Sequence, residues 1–224
     1  MDPLTQIRLT RELIDIDSTT GREAAAGEFI ASSLETLGWN VERQAVVDGR
    51  FNVIARTGVA PLVVFSTHFD CVPPFIPSRE SGGRVYGRGS SDAKGILLAQ
   101  MAAAERLRAE GESRVGLVFV IAEERGSEGA RAANTAASNS RFLINGEPTD
   151  NRLGIATRGV YRVKLRATGR AAHSSLPDLG VSAIDKLVDA PVSLRDVRWP
   201  EDSELGRSFY TTGLIAGGIA PNVI

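Results

Sequence analysis

The sequence predicts an α/β fold: a layered domain built on a largely parallel, mixed sheet, followed by a smaller unit of different texture. Three observations carry this. Apolar runs at 62–65, 115–121 and 142–144 have the length of buried strands. Helical stripes alternate with those runs, as they do where helices cover a sheet. Beyond about residue 156 the pattern turns to strict alternation, the mark of a strand with one solvated face.

From the amino terminus, Asp2-Pro3 marks a helix start with Pro at the first helical position, and Leu4, Ile7, Arg11 and Ile14 keep helical spacing. Thr20-Gly21-Arg22-Glu23 has the Thr-x-x-Glu form of a capping box. The stripe of Ala26, Phe29, Ile30, Ser33, Leu34 and Leu37 behind it stops at Gly38. Val41 to Val47 and Phe51 to Arg56 are two strands joined at Asp48-Gly49, a hairpin signal. The strand beginning at Leu62 ends at His68. A Pro-, Gly- and Ser-rich loop covers 71–91, with a short strand at Arg84 to Tyr86.

Asp92 to about Glu110 is a helix carrying Leu97, Met101, Ala104 and Leu107 on one side, closed by Gly111. Val115 to Ile121 is a strand ended by Glu123-Glu124. A small-residue helix over Glu128 to Ala137 leads to a strand at Phe142 to Asn145. In the second unit Gly159 to Thr168 is expected as a strand, Val181 to Val188 as a helix and Phe209 to Ala216 as a strand. The boundary falls near residue 156, giving domains 1–156 and 157–224.

Bulk composition removes several function classes. Lys and Arg number 26 against 27 Asp and Glu, a net charge of -1, and no basic tract or aromatic-rich basic strand offers itself to nucleic acid. The single Cys71 excludes an internal disulfide and a zinc finger. The charged first residues do not form a signal peptide, and no long apolar run follows, so a cytoplasmic protein without a membrane partner is expected.

The chemistry gathers at strand ends. His68, one of two histidines, and Asp70 close one strand; Glu123 and Glu124 close another, Glu147 a third, and Asp92 starts a helix. In open α/β sheets ligands collect beyond the carboxyl ends of the strands. One imidazole among carboxylates suits zinc or a related divalent ion, and adjacent glutamates allow one to bind metal while the other takes a proton. Singly, each residue has a plainer explanation: a local hydrogen bond for His68, a helix cap for Asp92, a solvated turn for Glu123-Glu124. Their convergence on one sheet edge favours a site. Rival motifs are missing: the segment 87–95 lacks the order of a phosphate loop, and no G-x-S-x-G elbow occurs. Cys71 is expected as a buried, unreactive thiol.

Thr67-His68-Phe69-Asp70-Cys71-Val72-Pro73 and Gly87-Arg88-Gly89-Ser90-Ser91-Asp92-Ala93-Lys94-Gly95 resemble two signature segments of one hydrolase family. It is the dinuclear zinc family of acetylornithine deacetylase, succinyl-diaminopimelate desuccinylase, aminoacylase and glutamate carboxypeptidase. Ala122-Glu123-Glu124 with Gly126-Ser127 and Gly129, Gly146-Glu147-Pro148-Thr149, and Ala172-His173-Ser174-Ser175 with Pro177 and Gly180 resemble three more.

The resemblance implies roles position by position. His68 would bind one zinc, oriented by Asp70; Asp92 would bridge two metals, with a cis Asp92-Ala93 peptide. Glu123 would be the general base, Glu124 a ligand of the second zinc, and Glu147 the remaining carboxylate ligand of the first. The second unit would be a partial ferredoxin-like dimerisation lid. From it His173 would reach into the partner subunit's site of a homodimer and stabilise the oxyanion, and Asn222 would contact substrate. The implied activity is hydrolysis of the amide bond of an N-acyl amino acid, of deacetylase or desuccinylase type, by a metal-activated water. A dipeptidase or carboxypeptidase of the same family, or a non-catalytic relative, is the alternative. The implied cofactor is zinc, two per subunit, with cobalt as a substitute.

One departure stands out. The family binds its second zinc with a further histidine near the carboxyl terminus, and this sequence has only two histidines. The resemblance therefore implies a chain truncated at its carboxyl end, with His68, Asp92 and Glu147 at the first site and only Asp92 and Glu124 at the second.

Overall fold

Asp2 opens the fold. Its carboxylate accepts the N–H groups of Leu4 and Thr5 at 3.0 and 3.1 Å, and helix α1 (Pro3–Ile14) runs on from there. In the computed structural model of the chain, residues 1–58, 60–135 and 140–224 are described. They divide into two units, Met1–Arg152 and Leu153–Ile224.

The first unit continues with helix α2 (Ala24–Thr36) and strands β1 (Asn40–Val47), β2 (Arg50–Arg56) and β3 (Val63–His68). A small hairpin, β4 (Arg79–Ser81) with β5 (Arg84–Tyr86), interrupts the long loop. Helix α3 (Lys94–Ala109), strand β6 (Val115–Val120), helix α4 (Glu128–Thr135) and strand β7 (Phe142–Asn145) complete it. The last residues expected in the small-residue helix, Ala136 and Ala137, lie outside the described residues.

The sheet order is β1-β2-β6-β3-β7. The β1–β2 and β2–β6 pairs are antiparallel, whereas β6–β3 and β3–β7 are parallel. The β1–β2 hairpin turns at Asp48 and Gly49, both at positive φ (50° and 71°), the combination that a tight two-residue turn requires. Side chains alternate across a strand, so neighbours in β2 report on opposite faces. Phe51 packs against Gly27 of α2, while Asn52 donates to the Gly129 carbonyl of α4. The two helices thus cover opposite faces. Between them the core holds Ile30, Leu34, Val53, Phe65, Leu97, Met101, Leu117 and Phe119. β6 sits in the middle of the sheet, which explains its unbroken apolar run.

One expectation fails at the start of α2. The Thr20 hydroxyl caps nothing there: the helix begins at Ala24 after Glu23, with no side-chain cap. Glu23 is fully buried, accepts the Gly21 N–H at 2.8 Å and pairs with Arg50 at 3.0 Å. A buried ion pair and a distant acceptor outcompete the local capping box.

Asn52 shows how the sheet is tied to the loop beyond β6. It is fully buried; its Oδ1 accepts the Ile121 N–H (3.1 Å), and its Nδ2 donates to Gln44 and to the Gly129 carbonyl (2.8 Å each). A side chain at residue 129 would collide with Ile121 and Asn52, so only glycine fits. Asn52→Ala will orphan two buried backbone groups and should cost about 2–4 kcal/mol. Urea denaturation measures this, and a loss under about 0.5 kcal/mol would show that water replaces those bonds.

The second unit contains helix α5 (Ala183–Ser193), capped by Ser182, and a two-residue ladder joining 201–202 to 206–207. Neither strand expected there, 159–168 nor 209–216, forms among the described residues. A strand exists only through a hydrogen-bonded neighbour. Alternation supplies two faces but no partner, and Tyr161 and Leu214 are 92% and 97% exposed. Among the described residues no helix is long and apolar enough to cross a membrane.

Candidate metal centre

Strand register delivers the chemical groups to one edge of the first unit. In the parallel β3–β6 pair His68 stands opposite Val120, so the chain leaving β6 carries Glu123 and Glu124 past the imidazole. In the parallel β3–β7 pair Ser66 stands opposite Asn145, so Glu147 lies two residues beyond, as His68 does on its own strand. Three strand ends therefore point the same way. Asp92 arrives from the loop before α3, and the Asp92-Ala93 peptide is cis.

The geometry centres on His68, which is 1% exposed. Its Nε2 lies 2.9 Å from Asp92 Oδ1 and 3.9 Å from Glu147 Oε2. Its Nδ1 lies 3.0 Å from the main-chain oxygen of Asp70 and 3.4 Å from the Asp70 carboxylate. Fixing Nδ1 in this way leaves Nε2 as the ligand nitrogen. His68, Asp92 and Glu124 each offer a ligand atom, all within 4.8 Å of one another. One imidazole nitrogen with carboxylate oxygens is a donor set for a divalent first-row ion, so these residues fit a metal. The triad draws on both implied sites, His68 and Asp92 from the first and Asp92 and Glu124 from the second, while Glu147 keeps its oxygen 3.9 Å from the imidazole.

Electrostatics mark the same cluster. Burial alone would depress the His68 pKa; the Asp70 carboxylate, helped by Glu147 and Glu123, overcomes that and raises it to about 9. Burial pushes the Glu124 carboxyl up, and the nearby Asp92 charge adds to it. Burial likewise raises Glu147, against the pull of His68 and Asn145. Asp70 goes the other way. Burial opposes its charge, but hydrogen bonds from His68, Thr20 and the Glu123 N–H hold its carboxyl below the usual range. Carboxyls raised mainly by burial thus stand beside an imidazole raised by its carboxylate neighbours, a cluster in which a cation would be favoured.

Asp70 does more than orient the imidazole. Its Oδ1 accepts the Glu123 N–H at 2.9 Å and its Oδ2 accepts the Glu124 N–H at 3.2 Å. Those two donors line up because Ala122 adopts positive φ (56°), a left-handed turn that costs a non-glycine residue roughly 1–2 kcal/mol. The turn is closed by the Ser127 N–H on the Ala122 carbonyl at 2.6 Å. Glu123 itself is exposed.

Two supporting residues escaped the sequence reading. Asn52 ties the base of the Glu123-Glu124 loop, and its signal was a polar side chain inside an apolar strand. Lys94 is 1% exposed and donates to the carbonyls of Leu13 (3.0 Å) and Ile16 (2.8 Å) at the end of α1. That anchors the chain two residues after Asp92, and burial lowers the Lys94 pKa. A lysine at a helix start, against the helix dipole, was its signal.

The remaining sequence candidates lie in the second unit. His173 pairs through its backbone with Val223 in an isolated antiparallel bridge, and Ser174 N–H donates to the Asn222 carbonyl at 3.1 Å. His173 and Asn222 are thus neighbours. The His173 ring is exposed and shares a 2.8 Å hydrogen bond with Ser175 Oγ.

Comparison with known proteins fits this picture. Residues 64–207 match the model of Peptidase family M20/M25/M40. A peptidase M20 domain-containing protein of Schizosaccharomyces pombe is 38% identical over 227 residues, covering 97% of this chain and 57% of its own length. A probable carboxypeptidase of Aspergillus clavatus is 36% identical over 240 residues, covering 96% of this chain and 58% of its own length. The chain thus spans less than two thirds of these curated relatives. Among solved structures, a tripeptidase from Staphylococcus aureus is similar in fold with a TM-score of 0.67 at 20% identity, over 100% of this chain and 63% of that one. A di-peptidase from Saccharomyces cerevisiae gives 0.60 at 17% identity, over 89% and 50%.

Proposed function

This chain belongs to peptidase family M20/M25/M40, and from that premise we propose that the protein is a zinc-dependent hydrolase of the amide bond joining a free amino acid to an acyl group. The acyl group is a peptidyl group in a carboxypeptidase, an aminoacyl group in a dipeptidase and a simple acid in a deacetylase. The bond and the leaving amine are alike in these reactions. The observation that carries the reading is the meeting of His68, Asp92 and Glu124 within 4.8 Å, with Glu123 next in the chain. The names of the curated relatives favour the peptide substrate.

His68, Asp92 and Glu124 would hold the ion, with Glu147 at hand. When bound, zinc supplies a Lewis acid that polarises the amide carbonyl and acidifies water. Glu123 accepts the proton of the attacking water and returns it to the leaving amine nitrogen. Asp70 holds Glu123 and Glu124 by their backbone N–H groups so that base and ligand keep a fixed separation. His173, by the family resemblance, stabilises the oxyanion from the partner subunit of a homodimer. Mixing subunits carrying Glu123→Gln with subunits carrying His173→Ala tests that role: activity should reappear in mixed dimers, and its failure to do so removes the role in trans.

The decisive experiment is a substrate panel with zinc supplied: peptides with a free carboxyl terminus, dipeptides, acetylornithine and succinyl-diaminopimelate. Release of the carboxyl-terminal amino acid from peptides is the expected result. Turnover of the acylated amino acids alone would move the assignment to a deacetylase or desuccinylase. Turnover of none would support a non-catalytic relative.

Proton competition gives a second test. Ligation needs neutral His68, whose pKa near 9 keeps it protonated at pH 7 without metal. Zinc binding should therefore release a proton, and affinity should fall about tenfold for each pH unit below 9. Raised Glu124 and Glu147 steepen the fall on the acid side. Calorimetry in buffers of different ionisation enthalpy measures the proton count; a zinc affinity flat between pH 6.5 and 8.5 (roughly two decades expected) would contradict this.

A further inference from the structure

The segment with the capping-box pattern does not cap its helix, and the structure shows what it does instead. Residues 18–20 run beside 69–71. Ser18 Oγ donates to the Phe69 carbonyl at 2.6 Å, the Cys71 N–H donates to the Ser18 carbonyl at 3.0 Å, and the Thr20 N–H donates to the Cys71 carbonyl at 3.1 Å. Thr19 and Cys71 form a parallel bridge. At the end of this ladder the Thr20 hydroxyl donates to Asp70 Oδ2 at 2.8 Å.

We propose that Thr20 is a positioning residue of the metal centre: it fixes the Asp70 carboxylate, and through it the base Glu123 and the ligand Glu124. This rests on the metal-hydrolase reading above. Asp70 Oδ2 receives two donors, the Thr20 hydroxyl and the Glu124 N–H, while Oδ1 receives the Glu123 N–H. Of these donors Thr20 alone comes from outside the sheet-edge loops, and it sits on an independently fastened segment. Asp17 accepts both the N–H (2.9 Å) and the hydroxyl (2.6 Å) of Thr19 and pairs with Arg22. On the other side Glu23 holds Gly21 and Arg50. A carboxylate can rotate about its terminal torsion. With Thr20 in place the two backbone donors reach separate oxygens; without it, Oδ2 keeps only the longer bond from Glu124 and turns more easily away from it. The effect on the metal is indirect, carried from Thr20 through the Asp70 carboxylate to the backbone N–H groups of Glu123 and Glu124.

The test compares the chain with Thr20→Val, which keeps the shape and removes the hydroxyl, and Thr20→Ser, which keeps the hydroxyl. Zinc affinity is read by competition with a chromogenic chelator, the metal-free Tm by circular dichroism, and kcat and KM on the peptide that the parent chain cleaves. Expected for Thr20→Val are a loss of about tenfold in zinc affinity and a similar fall in kcat with KM changed less than about twofold. Thr20→Ser should stay within about twofold of the parent in both. The metal-free Tm of Thr20→Val should fall by no more than about 10 °C, leaving it folded at the assay temperature, and that of Thr20→Ser should stay near the parent. Parent-like zinc affinity and kcat in Thr20→Val overturn the proposal. So does an equal loss in Thr20→Ser, or a Thr20→Val chain that is already unfolded at the assay temperature without metal. If the parent chain itself binds no zinc, the metal reading falls and takes this inference with it, an outcome visible before either variant is made.

Discussion

Glu123→Gln should lower kcat by about 10²–10⁴-fold while leaving bound zinc and metal-free stability unchanged. Gln matches Glu in shape and cannot take a proton. The residue is exposed, so the change opens no cavity, and its N–H still reaches Asp70 Oδ1. It lies outside the triad of ligand atoms, so metal content should hold. Glu124→Gln is the contrast: the ligand neighbour should lose zinc. Metal analysis beside single-turnover rates separates the two. Full activity in Glu123→Gln would remove its role as base; loss of zinc from it would exchange the roles assigned to the two glutamates.

Asp70→Asn should weaken zinc binding by about 10–100-fold and reduce kcat with it. The carboxylate presents acceptors to the N–H groups of Glu123 and Glu124 and to Thr20, and its charge supports His68. An amide of the same shape must aim its NH2 at one of those donors, which leaves a buried donor facing a donor. The side chain is fully buried, so water cannot repair the mismatch cheaply. The loss of charge also lowers the His68 pKa, which alone would ease metal binding by removing a competing proton. A zinc affinity that rises in Asp70→Asn would therefore show that the proton outweighs the geometry, and it would sink the account of Asp70 as the hub of the centre.

Much of the first unit was legible because its evidence is local. Apolar runs, Asp48-Gly49, Asp2-Pro3 and Gly111 each act within one turn or one strand, and the observed elements fall where those signals put them. The donors were legible too, since strand ends are where His68, Glu123 and Glu147 had to appear. Thr20 was misread for the same reason that the rest succeeded: a capping box is a local pattern, but its hydroxyl found an acceptor 50 residues away. The alternating segments of the second unit failed similarly. Alternation describes one strand's faces, and neither 159–168 nor 209–216 joins a ladder among the described residues.

By itself the sequence determined the order of elements in the first unit, the kinds of ligand atom available and the family resemblance that assigned them roles. It is the fold that brings Glu124 within 4.8 Å of His68 and Asp92, and that turns the Asp70 oxygens toward two glutamate N–H groups and a threonine hydroxyl. The reason is physical. Periodicity and caps are set by neighbours a few residues apart. The direction of a carboxylate is set by donors that only parallel strand register and a distant loop can bring to it.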